Sequence, residues 1–329
     1  MPELPEVETI KNDLNKKILR KKIVGLEVRN KKSVMPSLNF FSKTLVGLSI
    51  TKTDRIGKLL IFHLSDKNNF LLIHLKMTGQ LIYLPHPGPL KPHPRLACLT
   101  DPRLAKALAN RARPLLAKER ELNSIIAGGH FLEGSQKIPG VGDNLPNEHT
   151  RIIFYFLDKS VLYFNDLRKF GYARIVNATE LSKIKKEFGI EPLNKNFSLD
   201  SFKKTIQEKK TNIKAVLINQ KFIAGIGNIY ADEILFTAGV RPIRLANKLT
   251  RNEIKKIFQA TNKVIKKAIK HRGTTFRNFL DSDGEIGNFS DFLKVYGRAG
   301  KNCRKCRKGI IKKIKLAGRG THYCPNCQV

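Results

Sequence analysis

Residues 220–233 read Gln220-Lys221-Phe222-Ile223-Ala224-Gly225-Ile226-Gly227-Asn228-Ile229-Tyr230-Ala231-Asp232-Glu233, and their reading decides how the second half of the chain folds. Two closely spaced glycines interrupt a largely apolar run, so the tract joins two helices through a tight turn. Such a turn has two explanations: glycines let helices pack closely, or they bring backbone N–H groups at a new helix N-terminus to an anion. The anion reading draws on Asn228, whose amide would stand beside those free N–H groups and complete a phosphate site. Working outward, residues 198–207 and 211–219 have helical periodicity before the turn, and residues 251–271 continue it afterwards.

Charge points to the partner. The 329 residues carry 62 Lys and Arg against 27 Asp and Glu, a formal net charge of +35, which calls for a polyanion. No uninterrupted apolar run reaches the roughly 18 residues of a membrane span, and no apolar signal region follows the start. Nucleic acid is therefore favoured over a membrane, with a basic ribosomal or structural protein as the other class that composition allows. The length suits two domains, each with its own core.

Four of the five cysteines form Cys303-x2-Cys306 and Cys324-x2-Cys327, separated by seventeen residues. That spacing fits a structural tetrathiolate zinc ribbon in a reducing cytoplasm, and four thiolates leave no open position for chemistry. Arg319, in Gly318-Arg319-Gly320-Thr321, would project from the hairpin between the pairs.

The first half reads as β-structure. Residues 23–28, 44–53, 59–64 and 70–75 are short apolar, β-branched runs with polar or glycine-containing breaks, and residues 152–157 and 161–164 resume the pattern, predicting an antiparallel sandwich. Residues 85–147 change composition towards Pro, Ala, Leu, Arg and Gly, with a helical candidate at 104–122; they read as a loosely structured insertion between two strands. Lys58 stands at a strand entrance, Met77 follows the strand ending at His74-Leu75, and Asn165-Asp166-Leu167-Arg168-Lys169-Phe170-Gly171 is a basic turn with one aromatic residue. Taken singly, these would be an edge lysine, a core filler and a solvated turn.

The first nine residues, Met1-Pro2-Glu3-Leu4-Pro5-Glu6-Val7-Glu8-Thr9, add a possible nucleophile. Once Met1 is removed, Pro2 exposes a secondary α-amine, and an α-amino group holds roughly 300 times more unprotonated form at pH 7 than a lysine. Such an amine forms a Schiff base with an aldehyde carbon, and the Glu3 carboxylate beside it can move protons. The same residues also make a helix start, with Val7, Ile10, Leu14 and Ile18 at helical spacing up to about Leu19.

These tracts, in this order, resemble bacterial formamidopyrimidine-DNA glycosylases. The resemblance implies an α+β chain: an N-terminal β-sandwich domain at 1–175, a hinge at 176–192, a helix-two-turns-helix domain at 193–290 and a zinc finger at 294–329. It implies Pro2 as nucleophile, Glu3 handling protons at the sugar, Lys58 donating a proton during strand cleavage, and Arg319 assisting at the lesion phosphate. In His74-Leu75-Lys76-Met77-Thr78-Gly79 it makes Met77 an intercalator, with Arg168 filling the space opposite the lesion and Phe170 wedging between bases. His74, His149, Lys209 and Asn228 join the DNA-binding set, and Cys303, Cys306, Cys324 and Cys327 hold one structural Zn2+. Lys169 stands where the family's pattern has a second arginine, Arg307 stands where a glycine usually follows the second cysteine, and the spacing between the cysteine pairs is one residue longer than common. The implied activity is base-excision repair of 8-oxoguanine and formamidopyrimidines in duplex DNA, by glycosylase and β,δ-elimination lyase steps, by a monomer in the bacterial cytoplasm at the nucleoid. Two alternatives stand beside it: an oxidised-pyrimidine glycosylase of the endonuclease VIII type, and a catalytically silent damaged-DNA-binding protein, expected if the insertion distorts the sheet carrying Lys58 and Met77.

Overall fold

The structure is a computed structural model that describes residues 2–85, 125–127, 145–274 and 288–329. Helix α1 (Leu4–Lys17) begins with Pro5 in its first turn and buries Val7, Ile10 and Leu14, with Ile18 at its end. At about 1.5–3 kcal/mol for each fully buried side chain, that face anchors the N-terminus to the core.

The core lies between two five-stranded sheets. One has the order β1 (Ile23–Val28), β8 (Thr150–Phe156), β9 (Val161–Asp166), β6 (Gly79–Leu84), β7 (Ile125–Ala127); the other has β2 (Val34–Met35), β10 (Tyr172–Asn177), β5 (Asn69–His74), β4 (Leu59–Leu64), β3 (Ile50–Ile56). All pairings are antiparallel except β10 with β2. Leu60, Phe62 and Leu64 face the other sheet, whereas Leu59 and Ile61 pack with Leu181 on the outer side. Both faces of β4 are covered, so it reads as a continuous apolar run with little alternation.

One expectation needs correction here, and a second gains detail. The run at 44–53 is not one strand: Ser37 caps helix α2 (Leu38–Leu45), its side chain accepting from the Phe40 N–H, and only the end of the run enters β3. The interval read as a hinge carries helix α3 (Ala178–Lys186), started by a capping box between Asn177 and Glu180, which covers the outer face of β4 and β5. Within the insertion, β7 extends the first sheet by pairing with β6, so that part is ordered into the fold. The helical candidate at 104–122, Cys98 and residues 275–287 of the later loop lie outside the described residues.

The second half is helical: α4 (Leu199–Gln207), α5 (Ile213–Ile218), α6 (Asn228–Ala238) and α7 (Arg251–Lys270) share one core. The first turn of α1 reaches into it through Leu4, whose N–H donates to the Gly225 carbonyl at 2.9 Å. Gly225 has φ +89°, and a Cβ there would lie 2.6 Å from Leu4, so glycine is required for this approach. The C-terminal hairpin, β11 (Lys312–Leu316) and β12 (Arg319–Tyr323), packs on α6. Its turn residues Ala317 and Gly318 both have positive φ, the geometry of a tight two-residue hairpin.

Candidate active site and nucleic-acid interface

The reaction centre assembles where α1, the β3–β4 turn and the start of α6 meet. Pro2 is buried, and Glu3, only 2% exposed, accepts hydrogen bonds from the N–H groups of Gly227 (2.7 Å), Ile229 (2.9 Å) and Tyr230 (3.4 Å). This corrects one reading of the sequence. Those helix-start N–H groups do not stand free for a phosphate, because the buried carboxylate needs them as partners. The Asn228 amide donates one hydrogen to the Gly320 carbonyl at 3.0 Å and joins the helix start to the hairpin.

Lys58 is buried beside Glu3. A Cβ on Gly227 would fall 2.4 Å from the Glu3 carboxyl carbon and 2.7 Å from Lys58 Nζ, so both side chains crowd one glycine. Burial pushes the Glu3 carboxyl above its usual pKa; Lys58 opposes the shift, Glu6 adds to it, and the Ile229 N–H and the chain's terminal amine oppose it. Burial pushes the Lys58 ammonium down, Glu3 and Glu6 hold it up, and Arg319 pushes it down. The acid is raised and the amine lowered, so burial brings the two groups closer together in proton affinity. The Lys58 turn is braced from below: Arg55 pairs with Glu8 (2.6 Å) and Glu191 (2.5 Å), and the Gly57 N–H donates to Glu191 at 2.7 Å.

Arg319 is exposed at the start of β12, and the strand behind it is fixed by buried charge. Lys214, 0% exposed, pairs with Asp232 at 2.7 Å and donates to the Gly320 carbonyl (3.2 Å) and the Thr321 hydroxyl (2.7 Å). Asp232 also accepts the His322 N–H at 2.8 Å. Neither Lys214 nor Asp232 had been singled out from the sequence, although an Asp-Glu pair within the apolar α6 was a visible signal. Glu233, the next residue, accepts the N–H groups of Lys294, Val295 and Tyr296 at 2.9–3.0 Å.

The four cysteine sulfurs lie within 4.8 Å of one another, with Cys303–Cys327 and Cys306–Cys324 both at 3.8 Å. A tetrahedron with metal–sulfur bonds of ~2.3 Å has sulfur–sulfur edges of about 3.8 Å, so the donor set fits zinc. Backbone N–H groups of Lys305 and Gly309 point to Cys303 and Cys306. Arg307 adopts φ +58°, which explains why glycine suits that position, and the hairpin register runs unbroken from Lys312–Tyr323 to Leu316–Arg319.

A second group forms an exposed tip. Asp166, buried, accepts the Thr78 hydroxyl and the N–H groups of Arg168 (3.2 Å) and Gly171 (2.6 Å), tying the β5–β6 turn to the β9–β10 turn. Above it, Arg168 donates to Met77 Sδ at 3.1 Å and lies 4.8 Å from the Phe170 ring centroid. Phe170 is 54% exposed. His74 lies between tip and reaction centre: its Nδ1 accepts the Lys76 N–H at 2.9 Å, while burial, Lys76 and Lys58 push its pKa down to about 3. Among the described residues, Lys209 contacts neither group and lies over Phe222 (4.6 Å), whereas the His149 carbonyl accepts the Asp166 N–H at 2.8 Å and the His149 ring is near Glu148 (3.6 Å).

A buried acid–amine pair beneath a projecting apolar and cationic tip, on a chain this basic, is the architecture of a protein that opens a duplex and acts on one nucleotide. The comparisons agree. Residues 1–173 match the formamidopyrimidine-DNA glycosylase N-terminal domain, residues 188–279 its H2TH domain, and residues 300–329 the zinc finger found in FPG and IleRS. The formamidopyrimidine-DNA glycosylases of Carboxydothermus hydrogenoformans and Pelotomaculum thermopropionicum are 37% and 36% identical, covering 100% of this chain and 100% and 99% of theirs. Lactococcus lactis Fpg bound to abasic-site DNA aligns with a TM-score of 0.75 and 29% identity over 99% of both chains, and a mutant bound to Fapy-dG DNA with 0.76 and 29% over the same shares. The chain belongs to the formamidopyrimidine-DNA glycosylase family, and its four clustered cysteines hold one structural zinc.

Proposed function

We propose that this chain excises oxidised purines, 8-oxoguanine and formamidopyrimidines, from duplex DNA and then cleaves the strand, with Pro2 as the covalent nucleophile. With Met1 removed, the Pro2 nitrogen attacks the sugar C1′ and the base departs with the glycosidic electrons. Glu3 transfers protons at the opening sugar ring, giving an iminium at C1′. Loss of a C2′ proton expels the 3′ phosphate, and a second elimination expels the 5′ phosphate, with Lys58 as proton donor and the Arg319 guanidinium assisting at the phosphate.

The observation that carries this reading is the shared burial of Glu3 and Lys58 around Gly227, beside Pro2. An ammonium there with depressed pKa is poorly explained as a stabilising surface charge. The tip supports the entry step: Met77, Arg168 and Phe170 fill the stack when a base is everted, recovering part of a cost of a few kcal/mol. His74, His149 and Lys209 extend the phosphate track, while Asn228 and Arg319, linked through Gly320, address the lesion phosphate. Intact pairing of β6 with β9 from Gly79–Asp166 to Leu84–Val161 weighs against a silent protein, because the insertion leaves that strand in register. The protein works as a monomer at the nucleoid.

Borohydride trapping on a duplex containing 8-oxoguanine opposite cytosine, followed by peptide mapping, tests the reading. An adduct on Pro2 is expected. Binding without an adduct, on this duplex and on one with an oxidised pyrimidine, would overturn it.

A further inference from the structure

The carboxylate that gathers the most elements around Pro2 is Glu6, which the proposed chemistry leaves unused. Glu6 is 3% exposed and sits in the first turn of α1. Its Oε2 accepts the Glu3 N–H at 2.8 Å, so it orients the peptide that joins Pro2 to Glu3. Its Oε1 accepts the Tyr230 hydroxyl at 2.6 Å, the Thr274 N–H at 2.7 Å and the Thr274 hydroxyl at 3.0 Å. Gly273 has φ +86°, and a Cβ there would lie 2.6 Å from Glu6 Oε1, so the chain is shaped to bring backbone against this oxygen. A parallel tie from α1, Arg272 to Asp13 at 2.7 Å, holds the same turn.

We infer that Glu6 is a positioning residue of the site, using one carboxylate to hold the Pro2–Glu3 terminus, the first turn of α6 and the Gly273–Thr274 turn in fixed relation. This rests on the reading of Pro2 as nucleophile. Four donors to one buried carboxylate exceed what a helix-capping residue requires, since the capping function uses only the Glu3 N–H. Three donors come from elsewhere in the chain, more than 200 residues away in sequence. The negative charge also acts on the centre. The charged groups bearing on Lys58 are Glu3, Glu6 and Arg319, and His74 is its titratable neighbour.

The test uses the full chain with Met1 removed, verified by intact mass. Enzyme in excess over a duplex with a preformed abasic site is trapped with borohydride across a pH series. Glu6→Gln is expected to slow trapping on the order of 10- to 100-fold with duplex Kd unchanged, the scale of a displaced reacting group. Its acid limb should also move to lower pH, because losing a nearby negative charge makes the amine give up its proton more readily. Glu6→Asp keeps the charge but shortens the reach, so it should slow trapping with the limb in place. Tyr230→Phe, which removes one donor, should do so more mildly.

Normal trapping by Glu6→Gln at every pH overturns the inference, as does slowed trapping with an unmoved limb, which marks a merely structural role. If Glu6→Gln does not fold, wild-type rates in both Glu6→Asp and Tyr230→Phe overturn it instead. Failure of the underlying reading shows separately, as a wild-type protein that gives no adduct on Pro2.

Discussion

The reaction centre and the tip both rest on a buried carboxylate that collects backbone N–H groups, yet they place their functional side chains oppositely. At the centre, Glu3 is held by three N–H groups of the α6 start and shares its burial with Lys58. At the tip, Asp166 is the buried support, while Arg168 and Phe170 stand in solvent. The difference suits what the proposed function asks of each. Proton transfer gains from groups whose position and charge are set before substrate arrives, in a site that excludes water. Wedging into a base stack needs side chains free to leave water for DNA, on a backbone that does not give way.

The largest effect expected from breaking this contrast is at Pro2. A protein that keeps Met1 has an amide nitrogen at Pro2 and carries its α-amine one residue away from that position, so strand cleavage should fall by about 10³-fold or more. Duplex affinity, carried by the tip and the basic surface, should be nearly unchanged. Gel-based cleavage of an abasic duplex beside a binding titration checks this; equal loss of both would show that the two regions are not separable. Next is the buried pair behind Arg319. Asp232→Ala leaves Lys214 uncompensated in the core, and breaking such a pair costs about 3–5 kcal/mol. Thermal unfolding should show that loss, and Asp232→Asn should recover part of it by keeping an acceptor for the His322 N–H.

His74 sharpens the contrast, because it joins the two regions. Its folded pKa of about 3 lies below the unfolded value of 6.5, so the neutral ring contributes stability that is full above 6.5 and is lost as pH falls towards 3. Between pH 6.5 and about pH 5 the loss amounts to roughly 2 kcal/mol. Protonation would also break the Lys76 N–H bond to Nδ1 and loosen the turn that carries Met77. Denaturant unfolding at the two pH values, with His74→Asn as reference, checks it: the variant should lose less, and equal losses would remove His74 as the cause.

How much of this was legible in the sequence depended on the distance between partners. Leu59–Leu64 was readable as a strand because an apolar run with β-branched neighbours is a local signal. Helix α2 was hidden because Thr44, Leu45 and Val46 at its end merged with the strand beyond, although Ser37 marked its start. Helix α3 is legible locally in the capping pair Asn177 and Glu180, inside the interval read as a hinge. In the site, Pro2, Glu3 and the four cysteines stand out through motif and spacing, and Lys58 through the family resemblance alone. The bonds that hold them could not, because Glu3 meets Gly227 across 224 residues and Lys214 meets Thr321 across 107. The free N–H groups expected beside Asn228 show the cost: a helix start is visible in sequence, but not the carboxylate that takes three of its N–H groups.

The smallest expected effect on stability is at the tip, and there it separates support from function most cleanly. Phe170 contacts Arg168 through its ring and is otherwise largely in solvent, so Phe170→Ala should change unfolding free energy by no more than about 0.5–1 kcal/mol, the worth of an exposed cation–π pair. Under the proposed function the same ring stacks on a base, a contact worth about 1–3 kcal/mol. Loss of that contact raises the cost of eversion, so single-turnover excision of 8-oxoguanine should slow by roughly tenfold. Cleavage of a preformed abasic site, which needs no base everted, should slow less. Equal slowing on both substrates would mean that Phe170 serves general binding, and a large loss of stability would mean that the tip, like the centre, is part of the packed protein.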